Sequence, residues 1–290
     1  MSTPPIRTAV LPVAGLGTRF LPVTKTVPKE MLPIVDRPCI EYVVAEAVAA
    51  GMERIVLVTA KGKDAQVDYF RPSPSLEAHL KAAGKDELLA EVHRVGHMAE
   101  IVTVRQDVAL GLGHAVLQAR EAVGDQPFVV LLGDDIIDAE VPCIAQLMEG
   151  YQAGNGVVAL MEVPLEESHR YGMCAGSMRT PTRMQIDKMV EKPAPADSPS
   201  RFAIVGRYVL PPEVWNILAQ TAPGAGGEIQ LTDALAQLAR EGRMEGHVFS
   251  GRRFDTGNVV GLLRASLYFA LKRPELNGPV RALLDELRGQ

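Results

Sequence analysis

Apolar residues along this 290-residue chain follow two rhythms, short unbroken runs and helical spacing, and the order of the two predicts the architecture. Thr8 to Val13, Arg54 to Thr59, Ile101 to Arg105 and Phe128 to Leu132 are apolar, rich in β-branched residues and followed by glycine or polar residues, which predicts buried strands. Between the first two, residues 38–50 place Ile40, Val43, Val44, Ala47 and Val48 on one helical face closed by Gly51. A second helix is expected over 113–123. Strand, helix, strand in this order is the βαβ unit of a parallel sheet. Residues 62–98 are polar and read as a helical insertion broken at Arg71–Pro74. Beyond a helix over 143–153 the pattern turns to strands at 157–163, 184–192 and 202–210. Helices over 212–220 and 231–240 follow, linked by glycine-rich 224–227. Short strands at 244–249 and 252–255 and helices over 259–272 and 279–287 complete the chain. There is no internal repeat.

Composition narrows the class without naming an activity. An apolar fraction of 47% and a charged fraction of 22% are ordinary for a soluble globular protein. No apolar run approaches a membrane span, and the N-terminus lacks the basic-then-apolar pattern of a secretion signal, so a cytoplasmic location is the expectation. Cys39, Cys143 and Cys174 are widely spaced with no metal-ligand pattern and are expected to be reduced core residues. The formal net charge of -5 argues against a nucleic-acid partner. It does not argue against a nucleotide, whose binding depends on local cations.

Candidate chemistry gathers where the expected strands end. The first strand runs into Ala14-Gly15-Leu16-Gly17-Thr18-Arg19, whose glycines let backbone N–H groups approach an anion, with Arg19, Lys25 and Lys29 supplying positive charge nearby. Pro22, Pro28 and Pro33 are expected to keep this segment extended. The dinucleotide pattern G-x-G-x-x-G fails at Phe20 and no Walker sequence occurs, so a tight turn with solvated cations stays open on these residues alone. Asp134 in LLGDD and Asp255 in RFDTG suit either turns or a hard cation, with Asp135 supporting at most. The Gln106 amide offers a donor and an acceptor to a pyrimidine edge, and Gly111 permits close backbone approach. His114 is given a positioning role at most. In a regular strand Glu191 and Lys192 would face opposite ways, so one points inward unless the strand bends. Thr232 reads as a helix cap and Trp215 as core. His93, His97 and Glu100 imitate a metal site but read as a surface turn, with Gly96 interrupting.

The spacing G-L-G-T-R-x-x-P-x-T-x-x-x-P-K-E-M-L-P, together with VEKP at 190–193, FAIVGRY at 202–208 and GEIQLTDA at 227–234, resembles the sugar-1-phosphate nucleotidylyltransferases. KEMLP and GLGHA resemble the bacterial UTP-glucose-1-phosphate uridylyltransferases in particular, and the likeness runs from Thr8 to about Leu271. The resemblance implies a three-layer α/β/α, Rossmann-like nucleotide-diphospho-sugar transferase fold with a mixed, mainly parallel sheet. It implies one domain over 1–290, with a nucleotide-binding half (about 8–140), a sugar-phosphate half (about 141–258) and a helical tail (about 259–290). The implied reaction makes UDP-glucose and pyrophosphate from UTP and glucose 1-phosphate with Mg²⁺. By this resemblance Arg19, Lys29, Asp134 and Lys192 are catalytic. Ala14, Gly15, Gly17, Thr18, Glu30, Gln106 and Gly111 would bind the nucleotide, Gly172, Glu191 and Lys192 the sugar phosphate, and Asp134 and Asp255 the metal. A homodimer or homotetramer is implied. The rivals are a thymidylyltransferase using dTTP, a silent sugar-nucleotide sensor and, disfavoured by Phe20, a nicotinamide-dependent enzyme.

Overall fold

Adjacent residues of the apolar runs face opposite sides of one sheet, and both sides are covered, which is why the runs are unbroken. The structure, a computed structural model, describes residues 5–289. In β1 (Thr8–Pro12) Ala9 and Leu11 enter one core while Val10 enters the other. In β4 (Arg54–Thr59) Ile55 and Leu57 split from Val56 and Val58 in the same way. The helix Cys39–Ala49 lies in the first core, and the helices Val214–Gln220 and Leu231–Arg240 lie in the second. Each fully buried aliphatic side chain contributes about 1.5–3 kcal/mol. The strand centres are thereby anchored and their ends are left to carry loops. Trp215 stacks on Phe128 with ring centroids 4.3 Å apart, and the three cysteines are buried free thiols.

Among the described residues the sheet has nine strands. β5 (Glu100–Arg105), β4, β1 and β6 (Phe128–Leu131) run side by side in parallel. Their C-terminal ends therefore share a rim, and the segments that begin at Val13, Ala60, Gln106 and Leu132 all start there. The remaining strands are β8 (Gly156–Glu162), β9 (Gly172–Met178), β10 (Arg183–Glu191), β11 (Phe202–Leu210) and β12 (Met244–Val248). Only β12 and β8 pair in parallel, and the other pairings in this half are antiparallel. β11 joins β6 through Arg207 to Leu210 and reaches β9 through Phe202 and Ala203. Hence β11, β8, β12, β10 and β9 close into a ring. A separate antiparallel ribbon of β7 (Asp135–Asp138) and β13 (Arg252–Asp255) pairs Asp135 with Asp255, which carries the second aspartate motif to the rim.

Several local expectations change. The proline-rich segment is not extended: single 3₁₀ turns at Thr18–Phe20, Val23–Lys25 and Lys29–Met31 alternate with Pro22, Pro28 and Pro33, since proline tolerates a turn start while blocking a longer helix. The helix expected over 113–123 is two, Leu112–Gln118 and Arg120–Val123, and that over 143–153 stops at Met148. The last helix starts at Pro274, a favoured first-turn proline, and absorbs Pro279. His93 and Gly96 sit within helix Asp86–Gly96 rather than in a turn, and no metal-holding group of three occurs among the described residues. Strands β7 and β9 and the small β2/β3 hairpin (Pro33–Ile34, Arg37–Pro38) were not foreseen. Among the described residues no helix is long and apolar enough to cross a membrane.

Candidate active site

A cleft of about 800 Å³ opens between the rim of the parallel strands and the strand ring, and Arg19, Asp134, Gly172, Glu191, Lys192 and Asp255 all line it. Residues from both halves of the chain meet in one hollow.

At the rim the glycine loop leaves β1 with its backbone open. Among the described residues none of the N–H groups of residues 14–19 donates to a protein acceptor. Gly17 is left-handed (φ 66°), and a Cβ there would stand 3.1 Å from Thr24 Cγ2 and 3.2 Å from Lys29 Cβ, so only glycine lets these side chains lie under the loop. Thr24 Oγ1 donates to the Gly17 carbonyl at 2.8 Å. Ala14, Gly15 and Thr18 thus present donors, while the Arg19 side chain reaches across to the Gly257 carbonyl at 3.4 Å. A run of free backbone donors beside cations is an anion site.

Beneath this loop Lys29 Nζ donates to Asp134 Oδ2 at 2.6 Å. Burial alone would raise the Asp134 carboxyl, but the Lys29 charge and hydrogen bond hold it below its ordinary value. Burial opposes the Lys29 charge too, and Asp134 and Glu30 together leave its pKa raised. Glu30 is only 2% exposed and accepts from Gln66 Nε2 at 2.7 Å, with Lys29 at 3.9 Å and Lys63 at 3.8 Å. Burial pushes its pKa up. Glu30, expected to bind the nucleotide, is therefore placed behind the loop, away from the cleft wall, against these cations.

The two metal candidates come together at Gly257. A Cβ on Gly257 would stand 2.7 Å from Asp134 Oδ2 and 3.1 Å from Asp255 Oδ1, so the two oxygens are no farther apart than those distances combined. Thr256 donates to the Asp134 carbonyl from N at 2.8 Å and from Oγ1 at 2.9 Å, which locks D-T-G onto G-D. Two carboxylates beside open backbone donors suit a hard divalent cation that takes its other ligands from phosphate and water. Asp135 is different: its carboxylate accepts from Arg253 Nε at 2.6 Å and Gly206 N at 2.9 Å and is 4% exposed. It braces β7 against β13 and β11.

Gln106 lies at the end of β5 and donates through Nε2 to the Gly111 carbonyl at 3.2 Å, with His114 Nδ1 at 2.9 Å. Gly111 (φ 102°) packs so closely on 228–229 that a Cβ would fall 2.7 Å from Glu228 Cβ. The loop is zipped there by Gly113 N donating to the Ile229 carbonyl and Ile229 N donating to the Leu110 carbonyl, both at 2.8 Å. Neither Gln106 nor Gly111 lines the main cleft, although their neighbours Leu112 and Glu228 do.

On the opposite edge β10 ends at Glu191, and Lys192 follows in the left-handed region (φ 46°), with its N–H bonded to the Tyr171 carbonyl at 2.9 Å. That bend resolves the alternation, because it lets both side chains enter the cleft. Lys192 Nζ lies 3.1 Å from Glu191 Oε1. Thr232 does not cap its helix: its Oγ1 donates to Glu191 Oε2 at 2.6 Å, and Gln230 takes the N-cap position, its side chain donating to Glu228 Oε2 at 3.1 Å rather than capping the helix. Gly172 admits this pair, since a Cβ there would stand 2.8 Å from Thr232 Oγ1 and 3.2 Å from Glu191 Oε2.

Sequence reading missed the buried support. Arg207, fully buried, donates to both Glu46 carboxylate oxygens (Nη2 to Oε2 at 2.7 Å) and to the Asp135 carbonyl at 2.7 Å. It holds the strand-to-aspartate turn from behind. A lone arginine inside the apolar run AIVGRYVL, matched by a glutamate on an apolar helix, was the available signal.

Comparison with known proteins gives the same picture from outside. The nucleotidyl transferase family model matches residues 8–271. The UTP–glucose-1-phosphate uridylyltransferase of Bacillus subtilis is 46% identical over 283 residues, 97% of each chain. A UTP-bound UGPase structure from Acinetobacter baumannii matches with a TM-score of 0.88 at 40% identity, covering 97% of this chain and 99% of that one. A UDP-glucose pyrophosphorylase complexed with UDP-glucose matches with a TM-score of 0.85 at 40% identity, covering 92% and 100%. With its fold and nearly its whole length shared with these proteins, the chain belongs to the nucleotidyl transferase family.

Proposed function

We propose that the protein is a UTP-glucose-1-phosphate uridylyltransferase, and the observation that carries this is the convergence of Arg19, Asp134, Asp255, Glu191 and Lys192 on one cleft. Full-length likeness to enzymes of that name supports it. A phosphate oxygen of glucose 1-phosphate attacks the α-phosphorus of UTP. A new P–O bond gives UDP-glucose, and the α–β bridging bond breaks with its electron pair leaving on pyrophosphate. The attacking oxygen is already ionised near neutral pH, so no general base is needed. The difficulty is bringing two anions into line.

Each edge meets one anion. The free N–H groups of Ala14, Gly15, Gly17 and Thr18, with Arg19 and Lys29, hold the triphosphate, while Gln106 and the Gly111 backbone read the uracil. Glu191, pinned by Thr232, takes sugar hydroxyls, Gly172 lets the sugar lie against backbone, and Lys192 takes the sugar phosphate. The family generally uses a divalent metal. We assign Mg²⁺ to Asp134 and Asp255, where it would neutralise charge on the α-phosphate, with Lys29 beside Asp134 adding positive charge there. The halves 8–140 and 141–258 are read as nucleotide and sugar-phosphate sides, in a cytoplasmic homodimer or homotetramer.

Pyrophosphate release from glucose 1-phosphate and Mg²⁺ across a panel of nucleoside triphosphates tests the reading. UTP is expected to be used well above dTTP. Equal or better use of dTTP would make the enzyme a thymidylyltransferase, and no release with any triphosphate would make it a sensor.

A further inference from the structure

The glycine loop of residues 13–17 has a rear as well as a front. Lys63, on the segment after β4, donates through Nζ to the carbonyls of Val13 (3.0 Å) and Gly15. Gln66 Nε2 donates to the same Val13 carbonyl at 3.1 Å and to Glu30, and its Oε1 accepts from Thr59 Oγ1 at 3.0 Å. Gln66 is fully buried, and the Lys63 side chain is only 12% exposed. The peptides after Val13 and Gly15 are trans. In a planar trans peptide the C=O of one residue and the N–H of the next point in opposite directions. Carbonyls drawn to the rear therefore force the N–H groups of Ala14 and Leu16 to the front, where neither has a protein acceptor among the described residues.

We propose that Lys63, assisted by Gln66, is a positioning residue for the nucleoside triphosphate: it fixes the peptide planes of the loop so that the N–H groups of Ala14 and Leu16 face the bound nucleotide. Lys63 acts through the backbone and does not itself touch the ligand. Burial lowers the Lys63 pKa, and the Glu30 carboxylate at 3.8 Å opposes that shift. Without Lys63 the two carbonyls lose a charged donor, and either peptide can flip so that an oxygen faces the phosphates.

The inference rests on the nucleotide reading of the cleft, and the test separates the two. UTP binding is measured by calorimetry on wild type, Lys63→Met and the exposed control Lys61→Met, together with amide exchange at Ala14 and Leu16. Wild type binds UTP with slowed exchange at both amides. Lys63→Met weakens UTP about tenfold, since both carbonyls lose their charged donor, and loses the slowing, while the Michaelis constant for glucose 1-phosphate stays within about twofold. Unchanged UTP affinity and intact slowing in Lys63→Met overturn the inference alone. No UTP binding by wild type overturns the functional reading with it. Should Lys63→Met fail to fold, Gln66→Leu is scored in the same way: Val13 then keeps only Lys63, and slowing at Ala14 weakens while that at Leu16 persists; equal effects on both amides contradict the proposal.

Discussion

The two edges of the cleft are built on different principles. The edge proposed for the nucleotide offers backbone: free N–H groups on a loop whose underlying charges, Lys29, Glu30, Lys63 and Asp134, are mutually satisfied and largely removed from water. The sugar edge offers side chains: Glu191 and a half-exposed Lys192, aimed by one left-handed residue and one hydroxyl. Parallel strands naturally supply the first, because their loops collect at one rim. A closed ring of mostly antiparallel strands supplies the second, because side chains from several strands can point to one place. The nucleotide edge is thus set before substrate arrives, and the sugar edge depends on a few exchangeable contacts.

The largest expected break falls between the edges. Asp134→Asn removes the anionic ligand proposed for the metal and a partner of Lys29, and turnover should fall on the order of a thousandfold, with a melting temperature close to wild type; a loss under about threefold would place Asp134 outside the chemistry.

The core of the strand ring should reveal itself by pH. His247 on β12 is 9% exposed with an unbonded Nδ1, and burial, aided by the charge of Arg183, lowers its pKa to about 4. A folded pKa below the unfolded one means stability is present above about pH 6.5 and lost as pH falls through about 4. The contribution is about 3 kcal/mol. Denaturation across that window should steepen in wild type and flatten in His247→Leu; parallel pH curves would remove His247 as the cause.

A smaller effect separates the edges directly. Thr232→Val frees the Glu191 carboxylate, so the Michaelis constant for glucose 1-phosphate should rise about tenfold while that for UTP holds. Equal rises in both would mean that Thr232 supports the whole cleft.

The contrast also decided what sequence could disclose. The rim was legible because buried parallel strands are unbroken apolar runs whose ends carry glycine and aspartate, as at Gly15 and Asp134. The strand ring was less so: β9, GMCAGSM, has small residues and weak alternation, and its identity comes from pairing with β10 and β11. Lys192 shows no local sign that its φ is positive, since that follows from the Tyr171 contact. Thr232 looked like a cap because a hydroxyl at a helix start normally bonds its own backbone, and here the carboxylate of Glu191 at the end of β10 wins. Lys63 and Gln66 were illegible because contacts from side chain to distant backbone leave no periodic trace.

The central claim is that two phosphates are held from opposite edges of one cleft. Initial rates of pyrophosphate release for Lys192→Ala, over a grid of UTP and glucose 1-phosphate concentrations, test it most directly. The Michaelis constant for glucose 1-phosphate should rise at least about tenfold with that for UTP unchanged. An unchanged constant for glucose 1-phosphate, or a rise confined to UTP, would contradict the account.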